Sequence, residues 1–151
     1  MKLITSIIII AVICSVGCTV GWSQSDVYEP DVESIRYQLH VARDVNEYLD
    51  DLFQKFSEGY VDPDKALEKV GLLRHEYNKL VEPVPQEGEQ LHMLLNRLLS
   101  RIEYYFIHYK SMDRENPLIN FQIAKARFEF NQEEQRLRYI YGAESGRSSQ
   151  L

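Results

Sequence analysis

The stretch LHMLLNRLLSRIEYYFIHYKSM, residues 91–112, decides the fold class of this chain. Its apolar side chains recur every three or four positions, at Leu91, Leu95, Leu98, Ile102, Tyr105, Tyr109 and Met112. Residues with that spacing lie on one face of a helix. The face is broadened by Leu94, Leu99 and Phe106, which is typical of a helix that neighbours cover on more than one side. We therefore expect the most buried helix of the chain over residues 86–112.

Three more segments repeat this period, and residues that start or stop helices bound them. Asp62 and Asn116 are side-chain caps, each followed by a proline that needs no N–H partner in the first turn. Gly59 is expected to stop the first helix, and Gly142 to end the fourth in the left-handed conformation. The predicted helices are about 31–58, 62–81, 86–112 and 117–141. The three further stripes are Ile35, Leu39, Ala42, Leu49, Phe53 and Phe56; Ala66, Val70, Leu73, Tyr77 and Leu80; and Ile119, Ile123, Ala126, Phe130, Leu137 and Ile140.

These segments predict an all-α fold, an up-down-up-down four-helix bundle that forms a single domain over residues 31–142. No segment shows the alternation of a strand, and short connections make successive helices antiparallel neighbours. The second helix is the short one, about 28 Å against about 40 Å for the first and third. EPVP, residues 82–85, follows it. This segment either covers the uneven end of the bundle or leaves a groove flanked by Ile35, Leu39, Leu91, Leu137 and Tyr141.

Charge and cysteine content restrict the chemistry of this domain. The chain has 23 acidic and 17 basic residues and a formal net charge of −6. That balance disfavours nucleic acid as a partner, and also adsorption to anionic lipid through a basic face. Both cysteines, Cys14 and Cys18, precede the predicted domain. Disulfides, zinc-thiolate sites and cysteine nucleophiles are therefore excluded from it.

The N-terminus has the order of an export signal, because Lys2 precedes an apolar run that ends in small residues. SVGC at residues 15–18 resembles the lipobox of bacterial lipoproteins, with Ser15 where that class usually has Leu. The resemblance implies that residues 1–17 are removed as a signal peptide and that Cys18 carries the lipid anchor. It also implies the outer membrane if the host has two membranes, since Thr19 is not Asp, and otherwise the outer face of the cell membrane.

Two other interpretations of the N-terminus stay open. Residues 3–22 are also long enough to span a bilayer at about 1.5 Å per residue. Ordinary cleavage near Ser23 would instead release the protein from the membrane. All three interpretations export the rest of the chain. Residues 18–30 and 143–151 are rich in small and polar residues, so we expect a flexible tether and a disordered tail around the domain.

No motif predicts catalysis or a metal cofactor. In RHEYNKL, residues 74–80, Lys79 stands where a zinc-protease helix needs its second histidine. A di-iron bundle needs two Glu-x-x-His pairs, and the sequence offers Glu89 with His92 alone. The histidines show no ligand spacing; they are His40, His75, His92 and His108. We therefore expect no enzyme activity, no cofactor and no metal.

Tyrosine is the unusual component of the composition, with ten in the chain. Tyr104, together with Arg97, Arg101 and His108, is a candidate patch for binding a protein, because tyrosine offers contact area with few rotamers to freeze. The alternative is that the neighbouring Tyr105 and Tyr109 belong to the core stripe, and that tyrosine tips reach solvent at the edge of the bundle. Asn46 interrupts the first stripe, and either sets helix register or turns outward with Val45 in its place.

Two functional classes follow. The favoured one is a membrane-anchored, exported lipoprotein that serves as an interaction or accessory module in the cell envelope, with another envelope protein as its partner. The alternative is a small-ligand carrier or an enzyme with a pocket in the bundle core, which would need polar groups that point inward. Whether the bundle is a monomer or exchanges hairpins between two chains is open as well.

Overall fold

The computed structural model of the chain describes residues 31–109 and 117–142, and it confirms the all-α four-helix bundle. Helix α1 spans Val32–Ser57, α2 Pro63–Leu80, α3 Glu89–His108 and α4 Pro117–Tyr141, and a 3-10 turn at Gln86–Gly88 precedes α3. The third helix therefore begins as a 3-10 turn, and its expected end at residue 112 lies outside the described residues. Neither described range contains a strand, or a helix long and apolar enough to cross a membrane.

Aspartate caps begin the first two helices. The Asp31 side chain accepts a hydrogen bond from the Ser34 N–H at 3.1 Å, and Asp62 accepts one from the Lys65 N–H at 2.9 Å. Each bond satisfies a backbone donor that the first helical turn leaves without a partner. Hydrogen bonds also lower the pKa of both carboxyls. The largest effect on Asp31 comes from the Ser34 hydroxyl, which donates to it at 2.6 Å, and the largest effect on Asp62 comes from the Lys65 N–H.

The two expected glycine stops behave differently. Gly59 has a φ of 81°, in the left-handed region that favours glycine, and it follows the end of α1. Gly142 does not adopt a positive φ, so the prediction of a left-handed stop there is wrong. Its N–H instead donates to the Arg138 carbonyl at 2.8 Å, which continues the helical pattern. A Cβ at this position would lie 2.5 Å from the Arg138 oxygen, so glycine still fits best.

Successive helices pack against each other, and α1 closes the ring against α4. At this closing edge Arg36 Nε donates to the carbonyl oxygen of Tyr141 at 2.8 Å, so the start of α1 lies beside the end of α4. Ion pairs also cross the seams: Arg74 with Glu103 at 2.8 Å, Arg97 with Glu129 at 3.2 Å, and Arg127 with Asp50 at 2.5 Å. Exposed pairs contribute at most about 1 kcal/mol each, so the packing of apolar faces dominates the stability.

The predicted stripes form the core between the helices. Residues that are buried from each helix include Ile35, Ala42, Leu49, Ala66, Val70, Tyr77, Leu91, Leu95, Leu98, Ile102, Ala126, Phe130 and Leu137. Val45 is buried whereas Asn46 is half-buried, so Val45 occupies the core position at the interruption of the first stripe. Leu80 and Ile140 depart from the prediction, because 48% and 47% of their surfaces are exposed in the last turns of α2 and α4.

Candidate functional site

A groove runs along the seam between α3 and α4. It consists of two hollows of about 380 and 470 Å³, which share Arg97 and Glu129 and therefore join. We call it the α3/α4 groove; the side chains that shape it are Met93, Arg97 and Arg101 of α3, and Leu118, Phe121, Lys125, Glu129 and Arg136 of α4. Their spacing of three, four or seven positions places each set on one strip of its helix, beside the buried stripe.

Three large apolar side chains on the walls of the groove are exposed to water. Met93 is 51% exposed, Leu118 60% and Phe121 64%. Each is a large side chain that would lose water on contact with a partner, at roughly 25 cal/mol per Å² of apolar surface covered. Ala126 lies beneath them and is buried in the core. The groove is therefore a shallow concave surface with an apolar floor and wall.

The charged residues of the groove are predominantly basic. Its lining contains Arg97, Arg101, Lys125 and Arg136 against two carboxylates, those of Glu129 and Glu133, although the whole chain carries a formal charge of −6. Glu129 is shared between Arg97 at 3.2 Å and Lys125 at 3.8 Å. Glu133 is buried, and Arg136 donates to its two oxygens at 2.8 and 2.6 Å. Those bonds raise the pKa of the Arg136 guanidinium.

Arg101 has no carboxylate within ion-pair distance among the described residues. It is exposed on α3, one turn after Arg97. A guanidinium presents five N–H donors in a planar fork, which suits a carboxylate. Among the described residues, this side chain therefore supplies a positive charge of the α3/α4 groove that no carboxylate pairs with.

The structure brings two of the four predicted patch residues into the groove. Arg97 and Arg101 line it, whereas Tyr104 and His108 lie further along the same strip of α3. The Tyr104 and His108 rings contact each other, with centroids 4.3 Å apart, and Tyr104 is 44% exposed. Tyr105 and Tyr109 instead pack with Phe53, Phe56 and Phe106, where α3 ends.

The α4 side of the groove was not predicted from the sequence. Leu118 and Phe121 are apolar residues that fall outside the fourth stripe, and this is the signal that could have identified them. Lys125 and Glu129 follow at helical spacing on the same strip. Only the packing of α4 against α3 shows that this strip faces the strip that carries Arg97 and Arg101.

Polar side chains also lie inside the bundle, at the end where α3 begins. Gln38 of α1 is buried, and its Nε2 donates to the Gly88 carbonyl at 2.9 Å. Its amide lies beside the Tyr77 hydroxyl, although the two do not meet strict hydrogen-bond geometry. The Tyr77 ring stacks on His92 with centroids 5.3 Å apart. Asn96 connects these side chains to α2, because its Nδ2 donates to Asn78 Oδ1 at 2.9 Å. We call Gln38, Tyr77, His92 and Asn96 the polar row.

Burial shifts the titration of two members of this row. It raises the pKa of Tyr77 to about 12, against a smaller opposing effect from the Gln38 amide. Burial also lowers the pKa of His92 below its ordinary value. In both cases a low-dielectric surrounding disfavours the charged form. The row is therefore neutral near pH 7, which suits a structural role in the core.

The alternative groove at the EPVP segment does not form from the residues expected to flank it. Ile35, Leu39, Leu91 and Leu137 are buried in the core, and Tyr141 is half-buried. Val84 of the EPVP segment packs against this core, and the 3-10 turn after the segment contacts α1 and α3. The Glu82–Pro83 peptide bond is cis. A cavity of about 100 Å³ does lie beside the segment, but its lining is different: Ser34, Tyr37, Gln38, Leu80, Val81, Glu82, Pro83 and Pro85.

Within the described ranges no group of three or more His, Cys, Asp or Glu side chains could hold a metal ion. Cys18, the predicted lipid attachment site, lies outside the described residues. The fold and the groove define the chain as an all-α four-helix bundle with an open, mainly basic surface hollow between two helices. Comparisons with models of protein families, with curated proteins and with solved structures found no significant match.

Proposed function

We propose that the protein is an exported, membrane-anchored accessory module without enzyme activity, and that it binds another protein of the cell envelope through the α3/α4 groove. The observation that carries the proposal is the groove itself, where exposed apolar walls lie beside the guanidinium of Arg101, which has no carboxylate partner in the described part of the chain. Interfaces between proteins favour this combination of apolar side chains and arginine over lysine and carboxylates. Exposure of Met93, Leu118 and Phe121 to water is otherwise unfavourable.

The proposed anchor suits the position of the groove. With the lipid on Cys18, residues 19–30 form a tether that reaches at most about 40 Å when extended. The tether would enter the domain at Asp31, beside the end of α4, because Arg36 contacts the Tyr141 carbonyl. The end of α4 also contributes Arg136 to the groove. A partner in or near the same membrane would therefore lie within reach.

The anchor is tested by metabolic labelling with a fatty-acid analogue in the host cell. The full chain should incorporate label and fractionate with membranes, and Cys14→Ser should do the same. Cys18→Ser should lose the label, because the acyl chains have no other thiol at the cleavage position. Label retained by Cys18→Ser would refute the lipid anchor.

The partner-binding role is tested by crosslinking in intact cells followed by purification of the full chain. The parent protein should retrieve a defined envelope protein, and the Arg101→Ala/Tyr104→Ala variant should retrieve less of it. Circular dichroism should show that the variant keeps its helices, since both side chains are exposed. Equal retrieval by the two proteins would remove the groove and its adjoining strip from the interface.

The carrier alternative has less support among the described residues. Pockets for small molecules usually measure about 300–1,000 Å³ and enclose most of the ligand. The cavity beside the EPVP segment, at about 100 Å³, is well below that range. The two larger hollows lie on the surface seam between α3 and α4 rather than inside the core.

A further inference from the structure

We infer that the occupant of the α3/α4 groove is a helix of a partner protein that carries carboxylates beside an apolar stripe. The inference rests on the proposed function and specifies the chemistry of the partner. Three observations support it: the charge of the groove, the length of the groove, and the poorer fit of a second copy of the chain or of a lipid bilayer.

Charge complementarity selects an acidic partner. Among the described residues of the lining, four cations and two carboxylates leave an excess of two positive charges, on a chain whose formal charge is −6. Glu129 and Glu133 are both engaged by cations of the groove itself. Arg101 lacks such a partner among the described residues, and Phe121 lies across the groove from it. A carboxylate next to an apolar anchor would satisfy both side chains at once.

The dimensions of the groove suit a helix. The lining extends from Leu118 to Arg136 on α4, which is 18 residue-to-residue steps, and from Gln90 to Arg101 on α3, which is 11 steps. At 1.5 Å per residue these distances are about 27 and about 17 Å, which a helix of roughly 12 to 18 residues would match. An amphipathic helix places its anchors at positions i, i+3, i+4 and i+7 into such a seam. Met93, Leu118 and Phe121 offer the apolar surfaces for those anchors.

The two other possible occupants fit the groove less well. A symmetric dimer through this surface would place each Arg101 and Lys125 against the same basic lining of the second copy, and like charges brought together in an interface cost several kcal/mol. A bilayer is flat, so it cannot fill a concave seam between two helices. The negative formal charge of the chain also opposes its approach to anionic lipid.

The test is photocrosslinking in intact host cells with the full chain. Phe121→p-benzoylphenylalanine places the photoreactive group on the wall of the groove. Phe128→p-benzoylphenylalanine is the matched control, because Phe128 is on the same helix and is 61% exposed, against 64% for Phe121, but does not line the groove. Irradiated adducts are digested, and mass spectrometry identifies the crosslinked segment.

We expect an adduct from position 121 and not from position 128, joined to a segment with carboxylates flanking apolar residues at helical spacing. Adding Arg101→Glu should reduce the yield about tenfold or more by placing like charges together, and Arg101→Lys should retain most of it. An adduct to phospholipid, to a second copy of this chain, or to a segment without carboxylates would overturn the inference. An adduct to a segment without carboxylates would leave the proposed function standing. If neither position gives an adduct, both the acidic-helix inference and the proposed function are wrong.

Discussion

The carboxamide of Gln38 occupies the space that a side chain at position 88 would need. A Cβ on Gly88 would lie 1.7 Å from Gln38 Oε1, and Gln38 Nε2 donates to the Gly88 carbonyl at 2.9 Å. The backbone at Gly88 is ordinary, with φ of −91° and ψ of −5°. Close approach, rather than backbone conformation, therefore explains the glycine. The contact connects α1 to the turn from which α3 begins.

Gly88→Ala should destabilise the fold by about 1–3 kcal/mol, the usual cost of overpacking a filled interior. Gln38→Ala should also be destabilising, because it removes a buried hydrogen bond and leaves a void. The double variant should lose less than the sum of the two, since the methyl group at position 88 then has room. Urea unfolding of the four proteins measures this coupling.

Gly71→Ala is the control for the glycine substitution. Gly71 lies within α2, and the nearest atom to its added Cβ is Glu103 Oε1 at 4.0 Å. Alanine should therefore stabilise the helix there by about 0.5–1 kcal/mol. Additive effects at positions 38 and 88, or a loss of stability in Gly71→Ala, would contradict this account of the two glycines.

His92 should make the fold sensitive to mild acid. Burial lowers its pKa from the ordinary value of 6.5, so below that pH the unfolded chain takes up a proton that the folded chain resists. The unfolded state then binds more protons, and the free energy of unfolding decreases as the pH falls from about 6.5 towards the lowered pKa. The Asp31 and Asp62 caps act in a separate window, because their stabilisation is lost only below about 3.8.

Urea unfolding at about pH 7.5 and about pH 5.5 brackets the ordinary histidine pKa. His92→Gln should show a smaller decrease across this interval than the parent protein, because glutamine does not titrate. His92→Gln should also be somewhat less stable than the parent protein at the higher pH, because the substitution removes the ring that stacks on Tyr77. The same decrease in both proteins would show that His92 is not the group responsible.

Tyr77 should make the fold sensitive to alkali. Its pKa rises from 10.0 to about 12 in the folded chain, so between these values the unfolded chain loses a proton that the folded chain retains. The free energy of unfolding should therefore decrease as the pH rises through this interval. Tyr77→Phe should flatten the decrease, measured by urea unfolding and by the ultraviolet absorbance of tyrosinate. An unchanged slope in Tyr77→Phe would contradict the assigned burial.

The fold was predictable because each helix carries its own local signals. Asp62 before Pro63, and the repeat from Leu91 to Ile102, are properties of neighbouring residues that need no knowledge of the other helices. Gln38 was also within reach, since it stands at a core position between Ile35 and Ala42. A polar residue at such a position predicts a buried hydrogen bond, as the Gln38 amide makes with the Gly88 carbonyl.

The groove depends on the rotation of one helix against another, which the sequence does not fix. Glu133 shows the difficulty: a glutamate three positions after Phe130 is normally expected at the surface, yet it is buried here. Its burial is tolerated because Arg136, one turn later, donates two hydrogen bonds to it. The facing of Arg97 and Glu129, 32 positions apart, is equally a result of packing between helices.

Phe121 and Phe128 allow the groove to be tested with two nearly identical substitutions. Both rings lie on α4 and both are largely exposed, so Phe121→Ala and Phe128→Ala should each change the free energy of unfolding by less than about 0.5 kcal/mol. Only Phe121 lines the groove. Truncation of an aromatic anchor usually costs about 1–2 kcal/mol of binding. Phe121→Ala should therefore retrieve roughly five- to thirtyfold less partner after crosslinking, whereas Phe128→Ala should match the parent. Equal losses from the two would mean that the interface extends beyond the groove along the exposed face of α4.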